Sequence, residues 1–340
     1  MPARNVTLEL RHAACAADDE ACLRDGQLLS FGGQVAVHGV PRTPWTLLAA
    51  DCDACSTLHV DECDGWEAGD RLAIAPTGHH ATDYAQVINQ GADPQDNFLA
   101  EEATIDAVGP AAGGAAGCAV TLQTALRLLH RGSALSGVPV RAEVANLARS
   151  VTITGPPIHW RNASRPILGG QGLTTVQMGG GVMVVEYARV ERCGRVALGA
   201  YCLHWHLVGD CPECRFRGNV VEGGVNKGIT VHGTHNATVD ANVVYDLRGA
   251  SIYVEDGNEL HNTLSHNLLL CPSLSHKALL GGLIPQGDEQ TATGATGTGF
   301  RCCLLGVDEH RDSDYEEQAR CLRPPPHPPL PPLASQSIPP

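Results

Sequence analysis

The strongest constraint on this chain is an internal repeat. Aligning FRGNVV, VDANVV and LSHNLLL on their asparagines places Asn219, Asn242 and Asn267 at intervals of 23 and 25 residues. Short apolar strands and glycine turns recurring at such a period indicate a solenoid. Each unit reaches a second strand at one fixed offset: His232 lies 13 residues after Asn219, Glu255 13 after Asn242, and His206 13 after Cys193 of VERCGR. The strands CLHWH, GITVH and SIYVE therefore stack in register. Coils this short leave no room for strand–helix–strand units, and no helical period interrupts them, so the expected architecture is a parallel β-helix. The asparagines then overlie one another at a turn, where their amides can form a ladder.

Side chains alternate across a strand, which gives the register a physical check. Leu203/Trp205, Ile229/Val231 and Ile252/Val254 form one wholly apolar face, the expected interior. The opposite face carries His204/Thr230/Tyr253 in one column and His206/His232/Glu255 in the next. With rungs about 4.8 Å apart, His232 would sit between His206 and Glu255 and within reach of both.

The bulk composition agrees. A chain of 340 residues with 43% hydrophobic content can bury a sizeable core, and its 38 glycines favour strands and turns over long helices. The net charge of −14 argues against nucleic acid as a partner and against any polyanionic sugar, because both need a basic footprint. A local exception is the group Arg189, Arg192, Arg195, Arg215 and Arg217 around the histidine strand, either an anion-binding patch or a solvated rim. No apolar run approaches the roughly 20 residues of a membrane span. The first residues contain no apolar signal core either. Yet 14 cysteines and the sequons at Asn5, Asn162 and Asn236 point to an extracellular or cell-surface ectodomain, read as a piece of a longer protein.

Along the chain, residues 1–75 read as a partial all-β module, with GQLLSFGGQVAVHGVPR alternating between glycines and WEAGDRLAIA setting a turn before a strand. Residues 76–150 form a connecting β region, 151–275 the β-helix and 276–323 a low-complexity segment. The proline-rich 324–340 is expected to lack regular structure.

These residues carry a resemblance. YCLHWHLVGD, TVHGT and YVEDGNELHNT, in that order, resemble the β-helix of the hyaluronan-binding and cell-surface hyaluronidase family (the cell-migration-inducing hyaluronan-binding type) and of fibrocystin-like proteins. VHGVPRTPWTLL, WEAGDRLAIA and AEVANLARSVTITG are similar to the eight-glycine domain and linker that precede it there. The resemblance covers roughly residues 26 to 271, and it departs at Trp205, where phenylalanine is more usual. It implies an all-β extracellular protein: a right-handed parallel β-helix preceded by a partial eight-glycine module, with hyaluronan or a similar polysaccharide as partner.

Cleaving a glycosidic bond takes a group that protonates the leaving oxygen and a second that supplies a nucleophile or activates water. Glu255 is the expected acid, with a salt bridge to His232 as its structural alternative. Asp256 joins it if the Glu-Asp-Gly bend turns it outward, and a histidine could instead serve as base in a lyase reaction. The expected catalytic set is Glu255, His232, His206, His204 and Asp256; the expected substrate contacts are Arg189, Arg192, Arg195, Tyr253 and Asp210. His206, His232 and Glu255 also suit a transition-metal ion, whereas Asp210, Asp256 and Asn258 would suit calcium. Cys52/Cys55 and Cys211/Cys214 are spaced like zinc ligands, but in an oxidising compartment they are expected as disulfides. Two functions follow: a glycan-cleaving enzyme, or a non-catalytic fibrocystin-like module that binds glycan or protein.

Overall fold

The computed structural model describes residues 5–9, 27–77, 100–111, 116–135, 137–155, 174–194, 199–224, 227–247 and 250–270. The segments expected to be low-complexity and proline-rich, and Arg195 and Asn162, lie outside them. Every regular element among the described residues is a strand.

Three parallel sheets wind into a β-helix, the chain visiting them in turn. The histidine sheet comprises Gln27–Phe31, Thr174–Met178, Leu203–Asp210, Ile229–His235 and Ile252–Val254. The second, module-facing sheet comprises Val6–Glu9, Val151–Thr154, Ala188–Glu191, Val220–Glu222, Val243–Tyr245 and Leu268–Leu270. The third comprises Gln34–His38, Val182–Glu186, Arg215–Arg217, Thr238–Asp240 and Thr263–Ser265. Pairing follows the register read from the repeat: Leu203, His204, Trp205 and His206 align with Ile229, Thr230, Val231 and His232. Ile229, Thr230 and Val231 align in turn with Ile252, Tyr253 and Val254.

The alternation puts Leu203, Trp205, Ile229, Val231 and Ile252 into one buried core with Phe216, Val221, Val239 and Val244 from the other two sheets. Trp205 stacks flat on Phe216 with ring centroids 3.8 Å apart, and its indole N–H donates to the Met183 carbonyl. A buried aromatic of this size is thereby left with no unsatisfied donor. Val254, on the last described rung of its sheet, is only partly covered.

The asparagine ladder closes each coil. Asn219 Nδ2 donates to Asn242 Oδ1 at 3.0 Å and Asn242 Nδ2 to Asn267 Oδ1 at 2.9 Å, while the same amides satisfy the Val185 and Phe216 carbonyls one rung below. The residue before each asparagine is left-handed, with φ of 61° at Gly218, 56° at Ala241 and 53° at His266, and this bend turns the chain from the third sheet into the module-facing one. At Gly218 the glycine is also a spatial requirement, since a Cβ would stand 2.5 Å from the Tyr187 ring.

Residues 45–147 hold a separate six-stranded antiparallel sheet, in the order Trp45–Leu47, Glu143–Asn146, Arg71–Ile74, Glu101–Pro110, Cys118–Leu122, Thr57–Val60, with its own core around Leu48, Leu58, Leu72, Ile105 and Val120. Gln27–Phe31 and Gln34–His38 run parallel to coil strands and belong to the helix, although their sequence position precedes this module. Alternation marks a strand as half-buried without saying which sheet receives it. The module packs on the second sheet through Ala73, Ala145 and Leu147 against Val220, Val243 and Tyr245. Arg71 bridges Glu102 and Glu222, each at 2.9 Å, and the Tyr245 hydroxyl donates to Glu102.

Disulfides join Cys52–Cys55 and Cys63–Cys118 in the module and Cys193–Cys202 and Cys211–Cys214 in the coils. The two C-x-x-C pairs are thus oxidised and offer no thiolate to zinc.

Asn242→Ala leaves buried donors and acceptors unmet on two rungs, and urea denaturation should show a loss of about 3 kcal/mol. Glu101 accepts hydrogen bonds from the Arg127 and Leu128 backbone N–H groups. Burial would raise its pKa, but these bonds outweigh it and hold the carboxyl below its ordinary range. Its contribution is therefore present above the unfolded value of about 4.3 and lost as the pH falls through the lower folded value. The urea midpoint of the parent should exceed that of Glu101→Gln by a constant margin at neutral pH, and the margin should shrink below about pH 4.

Candidate functional site

The histidine column assembles because three successive strands deliver one outward side chain each to neighbouring rungs. His232 Nδ1 lies 3.0 Å from His206 Nδ1 and 3.1 Å from Glu255 Oε2. On its other edge His232 Nε2 meets Asp256 Oδ2 at 3.1 Å, so the bend after Glu255 does turn Asp256 toward the same imidazole. His204, two residues before His206 on the same face of its strand, directs Nε2 toward Glu255 Oε2 at 3.9 Å, and its Nδ1 donates to the Gly199 carbonyl at 3.2 Å. The expected catalytic residues are therefore brought together.

Their surroundings correct the picture of an open outer face. Outward along a strand is not the same as exposed: Thr230, His204, Tyr253 and Glu255 are at most 3% accessible, while His206 and His232 are partly open and Asp256 is exposed. Two residues missed by the sequence reading help enclose the column. Lys227 is buried, with Nζ 3.7 Å from the centroid of the Tyr253 ring and 3.3 Å from the Tyr201 hydroxyl, which in turn reaches Glu255 Oε1 at 3.4 Å. The signal was available, because Tyr201 and Lys227 each precede the column histidine of their coil by five residues. Tyr253 thus contacts a buried lysine and presents no open face for a sugar.

Electrostatics divides the column. Burial drives His204 down to about 3, outweighing the pull of Glu255, and it remains neutral. His206 is lowered by burial and then by the charge of His232. Burial would also lower His232, but the hydrogen bond and charge of Glu255, helped by Asp256, raise it. For Glu255, burial acts upward, yet the hydrogen bond from His232 and the charge of Lys227 hold it down to about 2. Glu255 is accordingly a carboxylate at neutral pH, which corrects its assignment as proton donor: its neighbours stabilise the ionised form.

The arginines do not join this site. Arg189 lies on the module-facing sheet, bonded to Glu191 and Glu222, and Arg192 donates to Thr154 Oγ1 and meets Glu191. Arg215 and Arg217 lie on the third sheet, paired with Glu186 and Asp240. Proximity in sequence misled here because the coil turns a corner between these strands and the histidines. Asp210 accepts from Asn236 Nδ2 and Asp256 is engaged by His232. Among the described residues, His204, His206 and His232 are the group whose ligand atoms converge, all within 4.8 Å of one another.

Fold and site together define a disulfide-bonded parallel β-helix with an antiparallel module on one sheet and an enclosed histidine–carboxylate column on another. Residues 169–283 match the family described as CEMIP beta-helix. Fibrocystin-L of Homo sapiens is 30% identical over 294 residues, covering 74% of this chain and 6% of that protein. Protein rliB of Dictyostelium discoideum is 28% identical, covering 72% and 19%, and Cell surface hyaluronidase CEMIP2 of Homo sapiens is 27% identical, covering 62% and 14%. The chain thus spans less than a fifth of each of these relatives. Among solved structures, the tailspike gp49 of Pseudomonas phage LKA1 is 10% identical with a TM-score of 0.20, over 79% of this chain and 49% of that one. No helix of the described residues is long and apolar enough to cross a membrane.

Removing the buried cation tests the enclosure directly. Lys227→Met deletes a desolvated cation–π contact and leaves the Glu255 carboxylate without its lysine, so urea denaturation should register a loss of about 2 kcal/mol or more.

Proposed function

We propose that this chain is an extracellular β-helix acting on a polysaccharide, and that the glycan is processed where His206, His232 and Asp256 reach the surface above buried Glu255. The observation that carries this reading is the linked set Glu255–His232–Asp256 with His206 alongside. It couples a buried charge to solvent-facing imidazole and carboxylate groups through contacts of 3.0 to 3.1 Å. Breaking a glycosidic bond requires groups of this kind on both sides of the scissile oxygen, placed by a rigid scaffold. The buried carboxylate fixes the orientation of the imidazole that faces the sugar. Four disulfides among the described residues support an oxidising, extracellular location. Hyaluronan is the polymer to test first, because a relative is a cell surface hyaluronidase. The chain's net charge of −14 and its paired arginines favour an uncharged polysaccharide as the comparison substrate.

A second reading has its own support. The near-complete burial of His204 and Glu255, together with the likeness to fibrocystin-L, suits a module that binds without cleaving.

Size analysis of hyaluronan, chondroitin and a neutral polysaccharide after incubation with the purified chain separates the two, and ultraviolet absorbance of the products tells elimination from hydrolysis. Cleavage by the parent, with turnover reduced about 100-fold or more in Glu255→Gln and glycan binding kept, is the expected result. Equal turnover in the variant removes Glu255 from the chemistry. Glycan retention without cleavage by the folded parent favours the module, and neither retention nor cleavage refutes the glycan reading.

A further inference from the structure

We propose that His204, His206, His232 and Glu255 form a binding site for a divalent transition-metal ion of the zinc class. This goes beyond the glycan reading and stands independently of it, because it concerns what fills the column rather than what crosses it.

Two buried lone pairs point at each other across the column. A carbonyl oxygen only accepts, so the 3.2 Å contact between His204 Nδ1 and Gly199 O puts the ring proton on Nδ1 and leaves Nε2 as a bare lone pair. That nitrogen is buried, has no hydrogen-bond partner, and faces the Glu255 carboxylate at 3.9 Å. Two electron-rich atoms facing each other inside a protein repel unless a cation lies between them.

The cluster is also short of protons. His206 Nδ1, His232 Nδ1 and Glu255 Oε2 crowd together at 3.0 and 3.1 Å. One N–H on His232 Nδ1 cannot serve both neighbours with good geometry. A metal ion accepts all of these lone pairs at once.

The rings are supported from outside as well. Metal-bound imidazoles characteristically donate their remote N–H to a carbonyl or carboxylate, which fixes the ring and raises its basicity. His204 does this through Nδ1 to Gly199 O, and His232 is held in the same way through Nε2 by Asp256 Oδ2 at 3.1 Å. In both rings the nitrogen facing the cluster is the one left to bind.

The donor set selects the ion. Three imidazoles and one carboxylate match zinc and its neighbours, whereas calcium and magnesium demand shells of oxygen. Tetrahedral zinc with bonds of about 2.0–2.1 Å places its ligand atoms about 3.3 Å apart. The three histidines' ligand atoms already lie within 4.8 Å of one another, so closure needs only side-chain adjustment.

The test uses the full chain under non-reducing conditions, stripped by chelator and dialysed against zinc chloride, with metal content and calorimetric affinity as readouts and cobalt(II) as a spectroscopic probe. The parent should bind one zinc per chain and show the visible bands of cobalt held by nitrogen and oxygen. His206→Ala should weaken zinc at least tenfold. Asp256→Asn, at an exposed position with no contact to the ion, should weaken it about 10- to 100-fold. Circular dichroism and disulfide content confirm that each variant is folded, and if His206→Ala fails to fold, Asp256→Asn and the cobalt spectrum decide. Zinc absent from a folded parent, bound equally by both variants, or displaced by equimolar calcium would each overturn the site. Because no glycan is present, these outcomes are separate from those of the cleavage assay.

Discussion

The side-chain amides of Asn219, Asn242 and Asn267 lock one coil to the next, and the remaining geometry depends on that lock. Each amide spends its oxygen on the coil before it and its nitrogen on a carbonyl of that same coil, and the nitrogens of Asn219 and Asn242 also reach the following asparagine. A slip of one residue in any coil would leave these buried groups unpaired, at about 1–3 kcal/mol each, and would turn the apolar face of CLHWH or GITVH to the outside. Register is therefore fixed twice, by hydrogen bonding at the corner and by burial on the sheet. The alignment of His206 with His232 and the approach of Glu255 to both are consequences of this lock.

A scaffold this rigid can hold groups that would otherwise separate. Lys227, Glu255 and His204 are all withdrawn from water, with Lys227 linked to Glu255 through the Tyr201 hydroxyl and His204 facing Glu255 at 3.9 Å. Burying charge costs several kcal/mol per ion, and apolar residues of similar volume are often at least as stable. The core built from Trp205, Phe216, Ile229 and Val231 supplies the stability that offsets this cost. Such a polar column fits the proposal that this part of the molecule serves binding or chemistry at the expense of packing.

How much of this was legible in the sequence depended on what each feature obeys. Periodicity gave the coils, the ladder and the pairing of His206 with His232, because spacing in a solenoid translates directly into position in space. Burial of the column was not legible, since alternation assigns a side chain to a face and says nothing of what covers that face. Lys227 was readable from its offset before His232, but a lysine beside a glycine turn passes for a surface residue until Tyr201 and Tyr253 are seen around it. The arginines misled for the opposite reason: Arg189 and Arg192 are close to the histidines along the chain, yet a corner of the coil separates them. Arg189 ends beside Glu222 at the seam with the antiparallel module, whose approach no local pattern announces.

Comparing the three faces of the helix supports the site proposed on the histidine sheet. On the second sheet the outward residues Val220, Val243, Tyr245 and Glu222 are taken up by the module through apolar packing and through Arg71 and Glu102. On the third, Arg215, Arg217 and Asp240 form ion pairs with their neighbours at the surface, of the kind worth little to stability and available to any solvated face. Among the described residues, the histidine sheet alone turns outward a continuous set of imidazoles and carboxylate that is neither spent on a domain contact nor simply solvated. Its inner members are buried while His206, His232 and Asp256 remain within reach of solvent. A ligand approaching this face would meet groups already oriented from behind, the arrangement that preorganisation of a binding or catalytic centre requires.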